Sequence, residues 1–216
     1  QIMNKPVALI TGASRGLGAE LAQILSQTHH IIAISRTIGA LEALDDQIKK
    51  RGGSSTLAPI DLTDENAVAQ LCRSIFDRWG KISLWSHTAI HAAPLGPVIT
   101  IDSKDWEKSV NNNVTALAKL IPMVSPLLEK DSKAVFFEDN TIMKKFSSIY
   151  GATKAAQIQI VKTWKDECKS SGLQIYILQP NPMPTAVRAR FYPGENRKKL
   201  QSVDIEAKRL VSLLEL

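Results

Sequence analysis

A chain of 216 residues, 44% of them hydrophobic, has enough apolar surface to bury a sizeable core, which excludes a disordered chain; its length suits one domain spanning 1–216. Lys and Arg outnumber Asp and Glu by 27 to 21, a formal charge of +6 that favours an anionic ligand such as a phosphorylated cofactor. Basic residues never run to five or six together or interleave with aromatics, and no apolar run approaches membrane-spanning length, so neither nucleic acid nor a membrane is an expected partner.

Taken in chain order, Pro6 to Thr11 is a short apolar run ending in glycines, and Gly16 to Thr28 has helical spacing at Leu17, Leu21, Ile24 and Leu25. Thr11-Gly12-Ala13-Ser14-Arg15-Gly16-Leu17-Gly18 joins them. After a strand and before a helix, the three glycines serve different ends. Gly12 permits a tight turn, Gly16 lets backbone approach a pyrophosphate, and Gly18 lets helix pack close on strand. The helix N-terminus then offers unpaired N–H groups to phosphate. Ile31 to Ser35 is a second apolar run. A site that prefers NAD places a carboxylate at the end of this strand, on the ribose 2′-hydroxyl. Here Ser35 stands in that place and Arg36 follows it. Arg36 and Arg15 are expected to grip a 2′-phosphate, since a planar guanidinium bonds two oxygens at once. The expected cofactor is NADP(H), with NAD(H) as the alternative.

A helical segment through Leu41, Leu44 and Ile48 stops at Gly52-Gly53, and Thr56 to Ile60 reads as a weaker strand. Asp64 to Trp79 is an amphipathic helix with Val68, Leu71, Cys72, Ile75 and Phe76 on one side, closed by Gly80. Ile82 to Ser86 is the fourth strand. A loop rich in Pro and Gly, Ala92 to Pro97, leads to a helix from Ser103 to Leu128 that Pro122 and Pro126 are expected to bend or break near its end. Lys133 to Phe137 is a strand, Ile149 to Ser171 a helix and Leu173 to Gln179 a sixth strand. Pro180-Asn181-Pro182-Met183-Pro184 forces an extended segment, the loop to Leu200 is irregular, and a last helix runs from Val203 to the end. Strands alternating with helices imply an α/β fold: a Rossmann-type, doubly wound parallel sheet of six to seven strands, helices on both faces, with ligands beyond the strands' carboxyl ends.

The glycine spacing, Asp61-Leu62 after the third strand and Tyr150-Gly151-Ala152-Thr153-Lys154 opening a helix together resemble the short-chain dehydrogenase/reductase family over nearly the whole chain. The resemblance implies hydride transfer between a nicotinamide cofactor and a small carbonyl or alcohol. In it, Tyr150 exchanges a proton with the substrate oxygen. Lys154, four residues on along one helix face, lowers the phenol's pKa and holds the nicotinamide ribose. Asn113 bends its helix and holds a water that relays protons to the lysine, although Asn111-Asn112-Asn113 leaves the register open by one. Asp61 and Leu62 fall beside the adenine, Thr88 and Ala89 beside the cofactor, and Pro180 and Thr185 near the nicotinamide. The family assembles as dimers and tetramers, which makes a homodimer or homotetramer the implied state.

The departures from that pattern are specific. The family's active-site serine aligns best with Asp139, flanked by Glu138 and Asn140. An ionised carboxylate only accepts hydrogen bonds and repels a developing oxyanion. A protonated Asp139, Asn140 and Thr141 are the alternatives for the missing donor. Asn-Ala-Gly reads Thr88-Ala89-Ile90, which threatens the cofactor groove with a bulky side chain, and Pro-Gly reads Pro180-Asn181. The sequence stops at Leu216, before the family's last edge strand, which reads either as a short protein or as a missing tail, and Gln1 and Ile2 precede a possible start at Met3. His91, Pro94, Met143, Phe146 and Phe191 are candidates for the substrate pocket. Ile158, Val161 and Trp164 suit a pairing surface or packing on the chain's own sheet. Cys72 and Cys168 lie far apart in helical segments and form no metal cluster with the four histidines, which reads as buried free thiols, a reducing cytoplasmic location and no metal. The expected function is NADP(H)-dependent carbonyl–alcohol interconversion. The rival is an NADP(H)-binding sensor with little turnover.

Overall fold

The computed structural model describes residues 5–140 and 143–216, so Gln1, Ile2, Met3 and Thr141 lie outside the described residues. The apolar runs become strands β1 (Val7–Thr11), β2 (His30–Ser35), β3 (Ser55–Pro59), β4 (Ile82–His87), β5 (Leu128–Phe137) and β6 (Gln174–Leu178). All pairings are parallel, in the order β3-β2-β1-β4-β5-β6. Every residue of β1 is buried, as a central strand covered on both faces requires. The strand order reverses between β1 and β4, and a crevice opens there beyond Thr11 and His87.

The helices are α1 (Gly16–Leu25), α2 (Ile38–Lys50), α3 (Glu65–Trp79), α4 (Ser103–Val110), α5 (Ala116–Val124), α6 (Ser148–Glu167), α7 (Ala186–Phe191) and α8 (Val203–Ser212). Side chains alternate across a strand, so each strand feeds two cores. Ala8, Ile10, Ile31 and Ala33 meet Leu21 and Leu25 of α1, Leu41 and Ile48 of α2, and Ala207 and Leu210 of α8. On the other face Leu9, Ile32, Trp85 and Phe136 meet Val68 and Ile75 of α3, Leu117 and Leu120 of α5, and Val161 of α6. Cys72 and Cys168 are buried free thiols, and burial pushes the Cys72 thiol up to about 11. Among the described residues, no helix is long and apolar enough to cross a membrane.

Three elements differ from expectation. The helix from Ser103 is three pieces: α4, a π-helical turn at Asn111–Thr115, and α5. Pro122 does not break α5, because it lies on the exposed side, where the carbonyl it leaves unpaired can meet water. A 3-10 turn at Ser125–Leu127 follows, and β5 begins at Leu128 rather than Lys133, with an irregular register opposite Ile82 to Leu84. The segment from Pro180 is extended as expected, but Thr185 then caps the short helix α7 by accepting the N–H of Arg188.

Candidate active site

Gly12 and Gly16 sit at φ 64° and 57°, the left-handed region that a side chain rarely adopts. A Cβ on Gly12 would lie 2.7 Å from the Ala89 nitrogen, and one on Gly18 would lie 2.2 Å from the Gly12 carbonyl oxygen. A Cβ on Gly16 would meet only the Thr185 methyl, at 3.8 Å, so open space adjoins the turn there. Among the described residues no side chain caps α1, and no acid stands in its first turn. Ser14, Arg15, Gly16, Leu17 and Gly18 line a cavity of about 570 Å³ beyond the sheet. Those features fit a dinucleotide pyrophosphate: close backbone approach, amide donors and the positive end of a helix.

At the same end of the cavity lie Ser35 and Arg36 after β2 and Asp61 and Leu62 after β3. Arg15 and Arg36 are exposed, with their charges available to an entering anion. One oxygen of Asp61 accepts from both the N–H and the hydroxyl of Thr63, at 2.9 and 2.8 Å, which fixes the turn into α3. Beyond β4, the Thr88 hydroxyl donates to the Thr11 carbonyl and ties the two central strands together under the glycine turn. The Thr11 hydroxyl accepts from the Thr88 N–H and bonds Nδ1 of His87 at 2.9 Å. Burial, reinforced by the charge of Lys154, lowers the imidazole to about 3 and keeps it neutral.

Thr88 and Ala89 therefore line the cavity and also hold the turn in shape. Ile90 does not fill the groove: it packs sideways on Ala92, Tyr150 and Phe191.

Around the π-helical turn the three asparagines take different places. Asn111 is exposed, Asn112 reaches the cavity wall and bonds the Lys108 carbonyl, and Asn113 is fully buried. Asn113 Oδ1 accepts the His91 N–H at 2.7 Å, while its Nδ2 donates to the His91 carbonyl at 2.8 Å and to the Thr153 hydroxyl at 3.1 Å. Its side chain thus clamps the loop after β4 to α6. Its main-chain carbonyl, displaced by the wide turn, accepts from Nε2 of Gln157 at 2.9 Å. Gln157 Oε1 in turn accepts from Nζ of Lys154 at 2.9 Å. Gln157 thus bridges Lys154 and the Asn113 carbonyl.

Tyr150 and Lys154 lie one turn apart on α6, and both line the cavity. Tyr150 is 4% exposed, with its ring 4.8 Å from that of Phe191, and its hydroxyl donates to Oδ2 of Asp139 at 3.2 Å. Burial raises the phenol well above its usual range, and the charge and hydrogen bond of Asp139 add to the shift. The lowered phenol expected from Lys154 is not what the site shows: burial first, and Asp139 beside the hydroxyl second, raise it. Burial lowers Lys154 to about 8 against the opposing pull of Asp139 and Glu138.

Asp139 is the member of its group that lines the cavity; Asn140 is exposed and bonds Gln179, and Thr141 lies outside the described residues.

The opposite wall comes from the segment after β6. Pro180 and Thr185 line the cavity. Buried Glu206 on α8 accepts the Asn181 N–H at 2.9 Å and holds that segment in place. The Arg190 guanidinium donates to the Ala92 carbonyl at 2.7 Å, which latches α7 to the loop after β4. Of the proposed substrate residues, His91 and Phe191 line the cavity, whereas Pro94, Met143 and Phe146 do not. Phe146 takes φ 71° and its carbonyl accepts the Gly96 N–H, which turns its side chain outward.

Gln157, Glu138, His87 and Arg188 join the site without having been expected there from the sequence. Gln157 carried a readable signal: it is a polar residue in the stripe Tyr150, Lys154, Ile158, Val161, three places beyond the lysine. Among the described residues, no His, Cys, Asp and Glu cluster able to hold a metal occurs.

A family model described as short chain dehydrogenase matches residues 6–196. An uncharacterized oxidoreductase of Staphylococcus aureus strain MW2 is 24% identical over 98% of this chain and 92% of its own. A solved short chain dehydrogenase from Salmonella enterica serovar Typhi has a TM-score of 0.88 at 21% identity, covering 99% of this chain and 90% of that one. A metagenomic short-chain oxidoreductase solved in complex with NADP has a TM-score of 0.81 at 19% identity, covering 99% and 92%. At these identities the structural likeness establishes the fold.

Proposed function

Since the chain belongs to the short-chain dehydrogenase family, we propose that it is an NADP(H)-dependent oxidoreductase interconverting a carbonyl and an alcohol. The observation that carries this reading is one continuous cavity, with Arg15, Arg36 and the glycine turn at one end and Tyr150 and Lys154 at the other. The amides after Gly12 and the two guanidiniums hold the phosphates, and Lys154 reaches the nicotinamide ribose. When bound, the dinucleotide supplies or accepts the hydride. Tyr150 Oη gives its proton to the substrate oxygen in reduction and takes it back in oxidation. Ile90, Leu95, Val187 and Phe191 pack around this point and keep bulk water away from the reacting carbon. That apolar wall favours an aromatic or aliphatic carbonyl.

The test is NADPH consumption against a set of aldehydes and ketones. Tyr150→Phe is expected to lower the rate by roughly 10²-fold or more, the usual worth of a positioned proton donor. An unchanged rate in that variant, or no turnover with NADPH bound, contradicts the proposal.

A second reading, an NADP(H) sensor with little turnover, draws on one observation: Asp139 holds the phenol proton where the family has a serine donor. Asp139→Ser separates the two. A gain of about a hundredfold, near 3 kcal/mol of barrier, favours the sensor, and a loss favours the enzyme.

A further inference from the structure

After each reduction Tyr150 needs a new proton, and two routes lead from it. The inner route is the one the family resemblance implies, through Lys154, one turn along α6, towards the Asn113 carbonyl. It is filled by Gln157, 1% exposed, whose Oε1 accepts from Lys154 Nζ and whose Nε2 donates to the Asn113 carbonyl, both at 2.9 Å. The rest of Asn113 is committed to His91 and Thr153. A carboxamide bonds at both ends without handing a proton across, because its N–H is far less acidic than an ammonium or a water.

The outer route begins at the hydrogen bond from Tyr150 Oη to Asp139 Oδ2, at 3.2 Å. Tyr150 is buried, whereas Asp139 is half-exposed at the cavity wall just beyond β5. The Glu138 N–H bonds the Leu178 carbonyl and holds that backbone beside β6. Among the described residues, the charged groups facing this pair include Lys154 on α6, Glu138 on its own segment and Arg188 on α7, the last paired with Glu195.

We propose that Asp139 returns the proton to Tyr150 in each cycle, and that Gln157 closes the inner route through Lys154 and Asn113. The assignment rests on the reading of Tyr150 as the acid of a carbonyl reduction. The Tyr150 Oη–H bond breaks as the substrate oxygen takes the proton. The Asp139 carboxylate then takes a proton from hydronium or a buffer acid and passes it to the phenolate, which restores the phenol and the carboxylate together. No oxidant or reductant beyond the dinucleotide is needed, and alcohol oxidation runs the same path outward.

One test needs no cofactor. Ultraviolet difference titration, with Tyr150→Phe as the blank, reads ionisation of the phenol alone. Asp139→Asn is expected to bring that ionisation down by about one pH unit or more, since the neighbouring negative charge is gone. The second test compares the first turnover with the steady state, using NADPH and benzaldehyde. In Asp139→Asn the later turnovers are expected to slow by about tenfold or more relative to the first, for which Tyr150 already holds its proton. Formate is expected to restore the later turnovers in Asp139→Ala. Adding Gln157→Ala to Asp139→Asn admits water between Lys154 and Asn113 and is expected to recover part of the steady-state rate.

Equal slowing of both phases marks a structural role and overturns the assignment, as does a steady state that Asp139→Asn leaves untouched; in both cases the reading of Tyr150 stands. Failure of the double variant to recover overturns the role given to Gln157. A native protein that binds NADPH yet never reduces the aldehyde overturns the reading and the proposal together.

Discussion

Lys154 is an ammonium held among buried groups, and its stability cost has a definite sign. Burial brings its pKa to about 8 from an ordinary 10.5. Below pH 8 both folded and unfolded chains hold the proton, and the folded state bears the full cost of the buried charge, on the order of 3 kcal/mol. Between pH 8 and 10.5 only the unfolded chain holds it, so stability rises with pH through that window. Lys154→Met is therefore expected to stabilise the fold at pH 7 by about 1–3 kcal/mol, after the loss of the bond to Gln157 is subtracted, and by little at pH 10.5. Urea unfolding at the two pH values checks it, and equal effects at both would contradict it. Tyr150 and Lys154 were legible in the sequence because their spacing is local to one helix. The bond from Tyr150 to Asp139 was not, since it depends on how the segment after β5 folds back over α6. Nor was the Gln157 bridge, because its far end depends on a carbonyl that only the π-helical turn exposes.

Two elements are tuned to the cavity. The turn between β1 and α1 has room for no side chain at its first glycine: Gly12→Ala places a methyl 2.7 Å from the Ala89 nitrogen at a φ of 64°. It is expected to cost more than about 1 kcal/mol and to abolish NADPH binding, as thermal melts with and without NADPH would read. A variant that melts and binds like the native protein would contradict this account of the turn. At the other wall, α8 holds the segment after β6 through Glu206. Glu206→Ala leaves the Asn181 N–H unpaired and is expected to cost about 2 kcal/mol, with weaker nicotinamide binding as the loop loosens. Destabilisation with no change in binding would show that the anchor serves α8 alone. These regions were legible where a glycine or proline has one physical meaning, as at Gly12 and Pro180 to Pro184. Pro122 misled, because its effect depends on which side of the helix faces water. Lys133 misled as the start of β5, because the strand begins at Leu128 in a polar stretch that carries no strand period.

At the scale of the whole chain, one arrangement explains where the chemistry sits. Parallel strands reversing order between β1 and β4 bring the ends of β1, β2, β4, β5 and β6 to one crevice, so residues from Gly12 to Thr185 converge although the chain separates them widely. That convergence was legible early, because the alternation of short apolar runs with amphipathic helices admits few topologies. Of the residues that also suited a pairing surface, Val161 and Trp164 pack on the chain's own core, and Ile158 is buried. Ile90, which threatened to close the groove, packs against the cluster of Ala92, Tyr150 and Phe191 and forms part of the cavity wall.

On the proposed function this crevice takes NADP(H), with the 2′-phosphate on Arg15 and Arg36. Purified protein titrated with NADPH and with NADH, following the fluorescence of the bound nicotinamide, puts that to the test. NADPH is expected to bind tighter by about tenfold or more, some 1.4 kcal/mol, with the difference shrinking in Arg36→Ala. Equal affinity for the two, or binding of neither, would contradict it.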